Sequence, residues 1–230
     1  PNSRPYHETL YDTEVGYKYK NQWLMFNANL YYMNYDNQLI KTGEINDVGY
    51  FTSKNVKKSF RRGIELEAAY LLNSKLHISG NLTLSENKVD TFTQYVDNWD
   101  TWEQSQIFHE NSDLAFSPNI IWAAQANYNL NKRTTVIFNS KYVGEQYIDN
   151  TSSKERRLND YLISNLQIDY NFNSYLFKHA KISFLINNLF DVEYVSNAWI
   201  YRYIANSFDP RESDHYTSLA SDGIYDMAGY

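Results

Sequence analysis

The stretch Ala180-Lys181-Ile182-Ser183-Phe184-Leu185-Ile186-Asn187-Asn188-Leu189-Phe190-Asp191-Val192-Glu193-Tyr194-Val195 decides how the chain is read. Ile182, Phe184 and Ile186 fall on one side of an extended segment, and Lys181, Ser183 and Asn187 on the other. Alternation with period two predicts a strand in a sheet with one apolar and one wet face. The strand runs into Asn188-Leu189-Phe190-Asp191, followed by Tyr194.

The same alternation recurs along the chain. Residues 11–20 set Tyr11, Thr13, Val15, Tyr17 and Tyr19 against Asp12, Glu14, Gly16, Lys18 and Lys20. After a tight turn at Asn21-Gln22, Trp23 to Tyr35 carries Leu24, Phe26, Ala28, Leu30 and Tyr32 on its apolar face. A polar connection is expected over 36–53, with Gln38 to Gly43 as a short extension of the second strand, then a third strand with Ile64, Leu66, Ala68 and Tyr70 opposite Glu65 and Glu67. A turn at 72–74 leads to a fourth strand with Leu76, Ile78, Gly80, Leu82 and Leu84 on one side. A long polar loop is expected over 87–112. The fifth and sixth strands are expected over about 113–128 and 133–147, joined at Asn129 to Lys132. A charged loop follows over 149–157, a seventh strand carries Leu162, Leu166, Ile168, Tyr170 and Phe172, and 196–230 reads as loop. Eight strands thus alternate short turns with long connections, as hairpins of a barrel with short turns on one side and long loops on the other.

Composition agrees. The 230 residues are 17% aromatic, with 22 Tyr, and mean hydropathy is −0.63. Tyr suits strands and membrane–water interfaces. No apolar run reaches the roughly 18 residues of a transmembrane helix, but a transmembrane barrel alternates lipid-facing and lumen-facing residues and needs none. Aromatics gather at strand ends: Tyr17, Tyr19, Trp23, Tyr70, Tyr128 and Tyr170 near short turns, Tyr32, Tyr35, Tyr142, Tyr147 and Tyr194 near long ones. Such girdles fit residues at headgroup level. The net charge of −6 argues against phosphate-neutralising nucleic-acid binding. Without cysteine there is no disulfide and no thiolate metal site.

Asn188-Leu189-Phe190-Asp191 resembles the motif closing the second-to-last barrel strand of TonB-dependent outer-membrane receptors. Residues 6–19 look like another strand of these receptors. Thr42 to Gly49 and Ser59 to Glu67 resemble receptors of the Bacteroidetes type. The resemblance implies an all-β fold: an antiparallel transmembrane β-barrel, of which the chain supplies about eight consecutive strands, 14 to 21 of about 22. Strand direction agrees, since 180–195 would run up into a long loop and 11–20 down into a short turn. On this reading all of 1–230 is the C-terminal portion of the barrel, with the plug, strands 1–13 and the last strand outside the sequence.

The resemblance further implies import of a scarce nutrient (iron–siderophore, haem, cobalamin or glycan) driven through TonB. The implied partners are outer-membrane lipid and lipopolysaccharide, TonB acting through a plug domain, the transported ligand and an accessory surface lipoprotein. No nucleic acid and no resident cofactor are expected. Alternatives from other classes are a passive porin or structural barrel, and a soluble carbohydrate-binding β domain. Binding residues are expected on the loops: Trp99, Trp102 and His109 in one, Trp199, Tyr201, Arg202 and Tyr203 in another. Aromatic rings and an Arg suit a catecholate, a haem or a sugar through stacking and cation–π contact, and they equally suit loop-to-loop packing. No spacing supports His109 or His215 as a metal ligand. Arg61-Arg62 beside Lys57-Lys58 forms a basic cluster suited to an anionic ligand or lipopolysaccharide phosphate. Catalytic motifs of the G-x-S-x-G, HExxH and P-loop kinds are absent.

Overall fold

The computed structural model describes residues 5–45, 51–173, 175 and 177–229. The stretch 42–49 therefore lies partly outside the described residues. One antiparallel path runs through eight strands: β1 (Thr9–Lys20), β2 (Leu24–Ile45), β3 (Phe51–Leu71), β4 (Leu76–Asn98), β6 (Ile120–Asn129), β7 (Thr134–Val143), β10 (Tyr161–Phe172) and β11 (Ala180–Ile186). The others decorate the long-loop end: β5 (Glu103–Asp113), β8 (Gln146–Tyr147), β9 (Arg157–Leu158), β12 (Trp199–Ile204), β13 (Thr217–Leu219) and β14 (Tyr225–Gly229). Among the described residues no helix is long and apolar enough to cross a membrane.

Register explains the two faces. One row, Leu24–Tyr70–Ile78–Ala126–Phe138–Leu166–Ile186, crosses seven neighbouring strands with an apolar side chain at every step. The row beside it, Met25–Ala69–Ser79–Gln125–Asn139–Asn165, is mostly polar and lies on the opposite face. A slip of one residue in any strand would exchange these faces, so the pattern pins the register. Ser140 and Ser164 fall on the apolar face, and their hydroxyls satisfy each other at 2.8 Å.

Three of the short turns share one device. Asn21 Oδ1 accepts from the Trp23 and Leu24 N–H groups, Asn73 Oδ1 from Lys75 and Leu76, and Asn131 Oδ1 from Arg133 and Thr134. An Asn side chain that mimics a turn of backbone closes the hairpin within three residues. At Gly63 a Cβ would stand 2.7 Å from the Tyr31 hydroxyl, so only glycine lets that ring lie across β3.

Several connections expected as loops are strands. In the 36–53 connection, the strand extension expected at Gln38 to Gly43 is present, and the described residues carry the β2–β3 hairpin upward, paired from Gln38↔Val56 to Lys41↔Ser53. The 87–112 loop is a second tall hairpin, in which β4 pairs with β6 over Leu76–Leu84 and with β5 over Lys88–Asn98. Residues 114–119 are not strand: Phe116 has φ 50° and Pro118 has no N–H to give to a ladder. The 196–230 segment carries its own small sheet, β12–β14–β13, and β12 adds to β4 in parallel at Tyr203↔Asp97.

The buried core lies at this end, not between the wall's faces. Ile40, Val56, Val89, Phe92 and Leu114 form one cluster, where the tall hairpins lean on each other. Tyr203, Ala205 and Tyr225 form a second, with Trp99, Tyr201 and Met227 packed against it. Each fully buried large side chain contributes about 1.5–3 kcal/mol, so the loops form a folded cap.

Candidate functional site

The cap brings the expected residues of the two loops together. Trp99 stacks on Tyr203 with ring centroids 4.1 Å apart and lies 6.2 Å from Phe208. The Trp99 Nε1–H donates to the Tyr201 hydroxyl at 3.0 Å, and that hydroxyl donates to Asp97 at 2.7 Å. Burial, then the Asp97 carboxylate, raises the Tyr201 phenol well above its ordinary pKa. Tyr203 is wholly buried, its hydroxyl 3.2 Å from Thr217 Oγ1. These three aromatics pack one loop against the other.

Arg202 lies inside an ionic network. Its Nε–H donates to Asp226 at 2.6 Å and an NH2 group to Asp222 at 2.7 Å, with Gln94 Oε1 at 3.4 Å. Asp226 also takes Arg156 at 3.2 Å, and Arg156 reaches Asp149 at 2.8 Å and Thr151 at 2.8 Å. One carboxylate thus joins the 149–157 segment to the 196–230 segment, and Gln94 extends the network into β4. Arg156 and Arg202 are both buried, and such guanidiniums require paired, hydrogen-bonded carboxylates. Asp100 adds a further tie by accepting from the N–H groups of Asn206 and Ser207.

His109 is also committed. Its Nε2 sits 3.0 Å from Gln94 Oε1 and its ring stacks on Phe92 at 5.0 Å. Burial lowers its pKa. Among the described residues no group of three or more His, Asp and Glu is placed to hold a metal ion. Trp102 and Trp199 differ: Trp102 is 88% exposed at the β4–β5 tip with φ 61°, and Trp199 is 48% exposed.

The Asn188–Asp191 stretch is a strand terminator. Asn188 has φ 49° and Asp191 φ 51°. The Asn188 side chain bonds the Val192 backbone both ways, accepting from its N–H at 3.0 Å and donating to its carbonyl at 3.1 Å. Asn188 N–H donates to Asn165 Oδ1 and Leu189 N–H to the Ser164 carbonyl, which ties the departing chain to β10.

A cavity of about 330 Å³ opens beneath the last loop, lined by β2, β4 and segments 114–116, 148–151 and 198–202. Sequence reading gave Trp199 and Arg202 of its lining but no role to Thr42, in the expected extension of the second strand, or to Gln94, in the stretch expected as loop. Asp226 and Arg156 were missed because ion pairs across 70 residues leave no local signal. Arg61 belongs to the basic cluster seen in the sequence, but its neighbours Lys58 and Arg62 are ion-paired on the other face, with Asp36 and Glu86.

Comparison with known proteins places the chain. The family model described as TonB dependent receptor-like, beta-barrel, matches residues 7–189. No curated protein sequence matches significantly. Among solved structures, the siderophore receptor PiuA of Acinetobacter baumannii aligns over 84% of this chain and 25% of its own, at 18% identity and TM-score 0.63. The ferric-catecholate import receptor Fiu of E. coli, closed form, aligns over 87% and 25%, at 18% identity and TM-score 0.58. The ferric yersiniabactin uptake receptor FyuA of Yersinia pestis aligns over 96% and 28%, at 16% identity and TM-score 0.57. The chain spans about a quarter of the length of these structures. With the match covering most of its length, the chain belongs to the TonB-dependent receptor-like β-barrel family.

Proposed function

We propose that the chain is one portion of the barrel wall, with its loop cap, of an outer-membrane importer that captures a scarce nutrient and is driven through TonB. The carrying observation is the apolar row Leu24 to Ile186 beside a polar row, in a chain of this family. The apolar face meets lipid and the polar face a wet lumen. Among the described residues β1 and β11 each have one neighbour on the sheet path, and open edges are not stable in lipid. Neighbouring strands therefore complete the barrel, and TonB acts through a plug domain inside it. The ion pairs Lys58–Asp36 and Arg62–Glu86 continue the lipid face above the apolar band, at the level of lipopolysaccharide headgroups.

Within the cap, Trp102 and Trp199 are the residues that meet ligand. Trp99, His109, Tyr201, Arg202 and Tyr203 hold the loops that present them. An iron–siderophore or other metal chelate is the favoured cargo, in keeping with the siderophore receptors whose fold it shares. The finer placement in the Bacteroidetes type is supported by the stretches 42–49 and 59–67, and it makes a surface lipoprotein a natural partner at the loops.

The test is uptake of iron chelates by cells expressing the protein that carries this chain, with and without TonB. Loss of uptake on TonB depletion, with the protein in the outer-membrane fraction, is expected. Unchanged uptake would instead identify a passive porin.

A further inference from the structure

The tall β4–β5 hairpin leaves one backbone edge open. β5 lies on the β6 side of β4, since Val89 pairs with Ser59 of β3 on one side and with Ser112 of β5 on the other. Antiparallel pairing turns the backbone groups of successive residues to alternate sides of a strand. Leu114 N–H reaches the Asn87 carbonyl, whereas Asp113 N–H turns away from β4 and donates to Ser152 Oγ at 2.6 Å. Along the strand, the same alternation turns the N–H and C=O groups of Ser105, Ile107 and His109 outward. Among the described residues β5 pairs with β4 alone, and no hydrogen bond reaches those outward groups. The flanking connection over 144–160 pairs within itself as β8–β9 and hydrogen-bonds β5 only at Asp113.

Charge selects what can add there. Residues 87–113 hold six Asp and Glu and one Lys, Lys88, which pairs with Asp113 at 3.0 Å. Glu103 and Glu110 are exposed and, among the described residues, have no ion pair. Phe108, on the outer face of β5, is 63% exposed. An open edge is a template for another strand, and charged side chains on it decide which strand is admitted.

We propose that the β5 edge docks an extended, basic segment of a partner protein, which adds as a strand beside 103–110. Backbone hydrogen bonds to Ser105, Ile107 and His109 supply the pairing, and Glu103 and Glu110 supply the selection. Phe108 offers an apolar contact to the added strand. A second copy of this edge would set like charges side by side, so it is the wrong occupant. The inference goes beyond the importer reading and needs only the cap.

The test uses the full-length protein carrying this chain, purified from outer membranes in detergent. The probe is a short synthetic peptide of alternating lysine and valine, with its glutamate–valine counterpart as control, and binding is read by hydrogen exchange with mass spectrometry. The basic peptide should slow exchange saturably over 103–110, and the acidic one should bind about tenfold more weakly. Ser105→Pro removes one outward N–H and spares the β4 ladder, so it should weaken the basic peptide about tenfold at an unchanged melting temperature. Ser105→Ala should bind as the parent does. Glu103→Lys combined with Glu110→Lys changes only exposed positions and should invert the preference, which keeps the test valid should Ser105→Pro disturb the hairpin. The proposal is overturned by absence of saturable protection over 103–110, by equal response to the two peptides, or by unchanged binding in Ser105→Pro or the charge-reversed variant. Protection of 103–110 without peptide that fades on dilution would identify a second copy as the occupant and overturn it as well.

Discussion

The wall and the cap are built from the same kind of strand, yet different forces hold them. In the wall, backbone ladders and alternating faces do the work, and most side chains on both faces are half-buried or exposed in the isolated sheet. In the cap, the tall hairpins lean on each other over a buried core, and specificity comes from buried aromatics and a two-arginine network closed by Asp226. The wall is a repeating pattern that tolerates exchange of one apolar residue for another. The cap is a set of single contacts, each between residues far apart in the chain.

The sharpest way to break this contrast is Asp226→Ala. It leaves Arg156 without one of its two carboxylates and Arg202 with only the half-exposed Asp222, and breaking such a buried pair costs about 3–5 kcal/mol. Protease nicking within 187–230 should rise steeply, while the wall's resistance to heat and detergent stays unchanged. Leu166→Arg attacks the wall instead, placing a charge on the lipid row at a cost of about 2–4 kcal/mol. Its polar-row neighbour, Asn165→Arg, should cost far less in the same urea titration in lipid vesicles. Equal effects at these two positions would mean that the faces have been assigned wrongly.

Smaller effects sharpen the comparison. Asn131→Ala removes two turn hydrogen bonds and should destabilise the β6–β7 hairpin by about 1 kcal/mol, read from hydrogen exchange. The smallest concerns acid. Burial lowers the His109 pKa; Asp149 and Asp222 oppose that shift, and Arg156 and Arg202 reinforce it. A folded-state pKa below that of the unfolded chain means that acid favours unfolding. The β4–β5 hairpin should therefore be fully stable above about pH 6.5 and loosen as pH falls through that value toward the folded pKa. His109→Gln should remove the dependence, as seen in hydrogen exchange corrected for its intrinsic pH effect.

The sequence disclosed the two regions unequally, for a physical reason. Wall strands such as Leu76–Leu84 alternate because one side meets lipid and the other water, so period two is written into the residues themselves. The β4–β5 hairpin pairs Thr91 with Glu110 and Gln94 with Ile107, mixing polarity on both faces, and so it reads as loop. β12 is concealed in the opposite way. Trp199 to Ile204 packs on both sides and shows no alternation at all. The candidate residues Trp99, Tyr201 and Tyr203 were visible as residue types. What they do depends on Asp97 and Thr217, which no local spacing announces.

The place of Asp226 has a consequence for the water in which such a loop works. Ion pairs on the lipid-facing rim, Lys58–Asp36 and Arg62–Glu86, stand open to solvent and weaken as salt rises. The Asp226 carboxylate and both of its arginines are shielded from mobile ions, so dissolved salt reaches them little. The last loop should stay closed to the same degree in dilute fresh water and in brine, which makes its opening a response to what enters beneath it and not to the salinity around it.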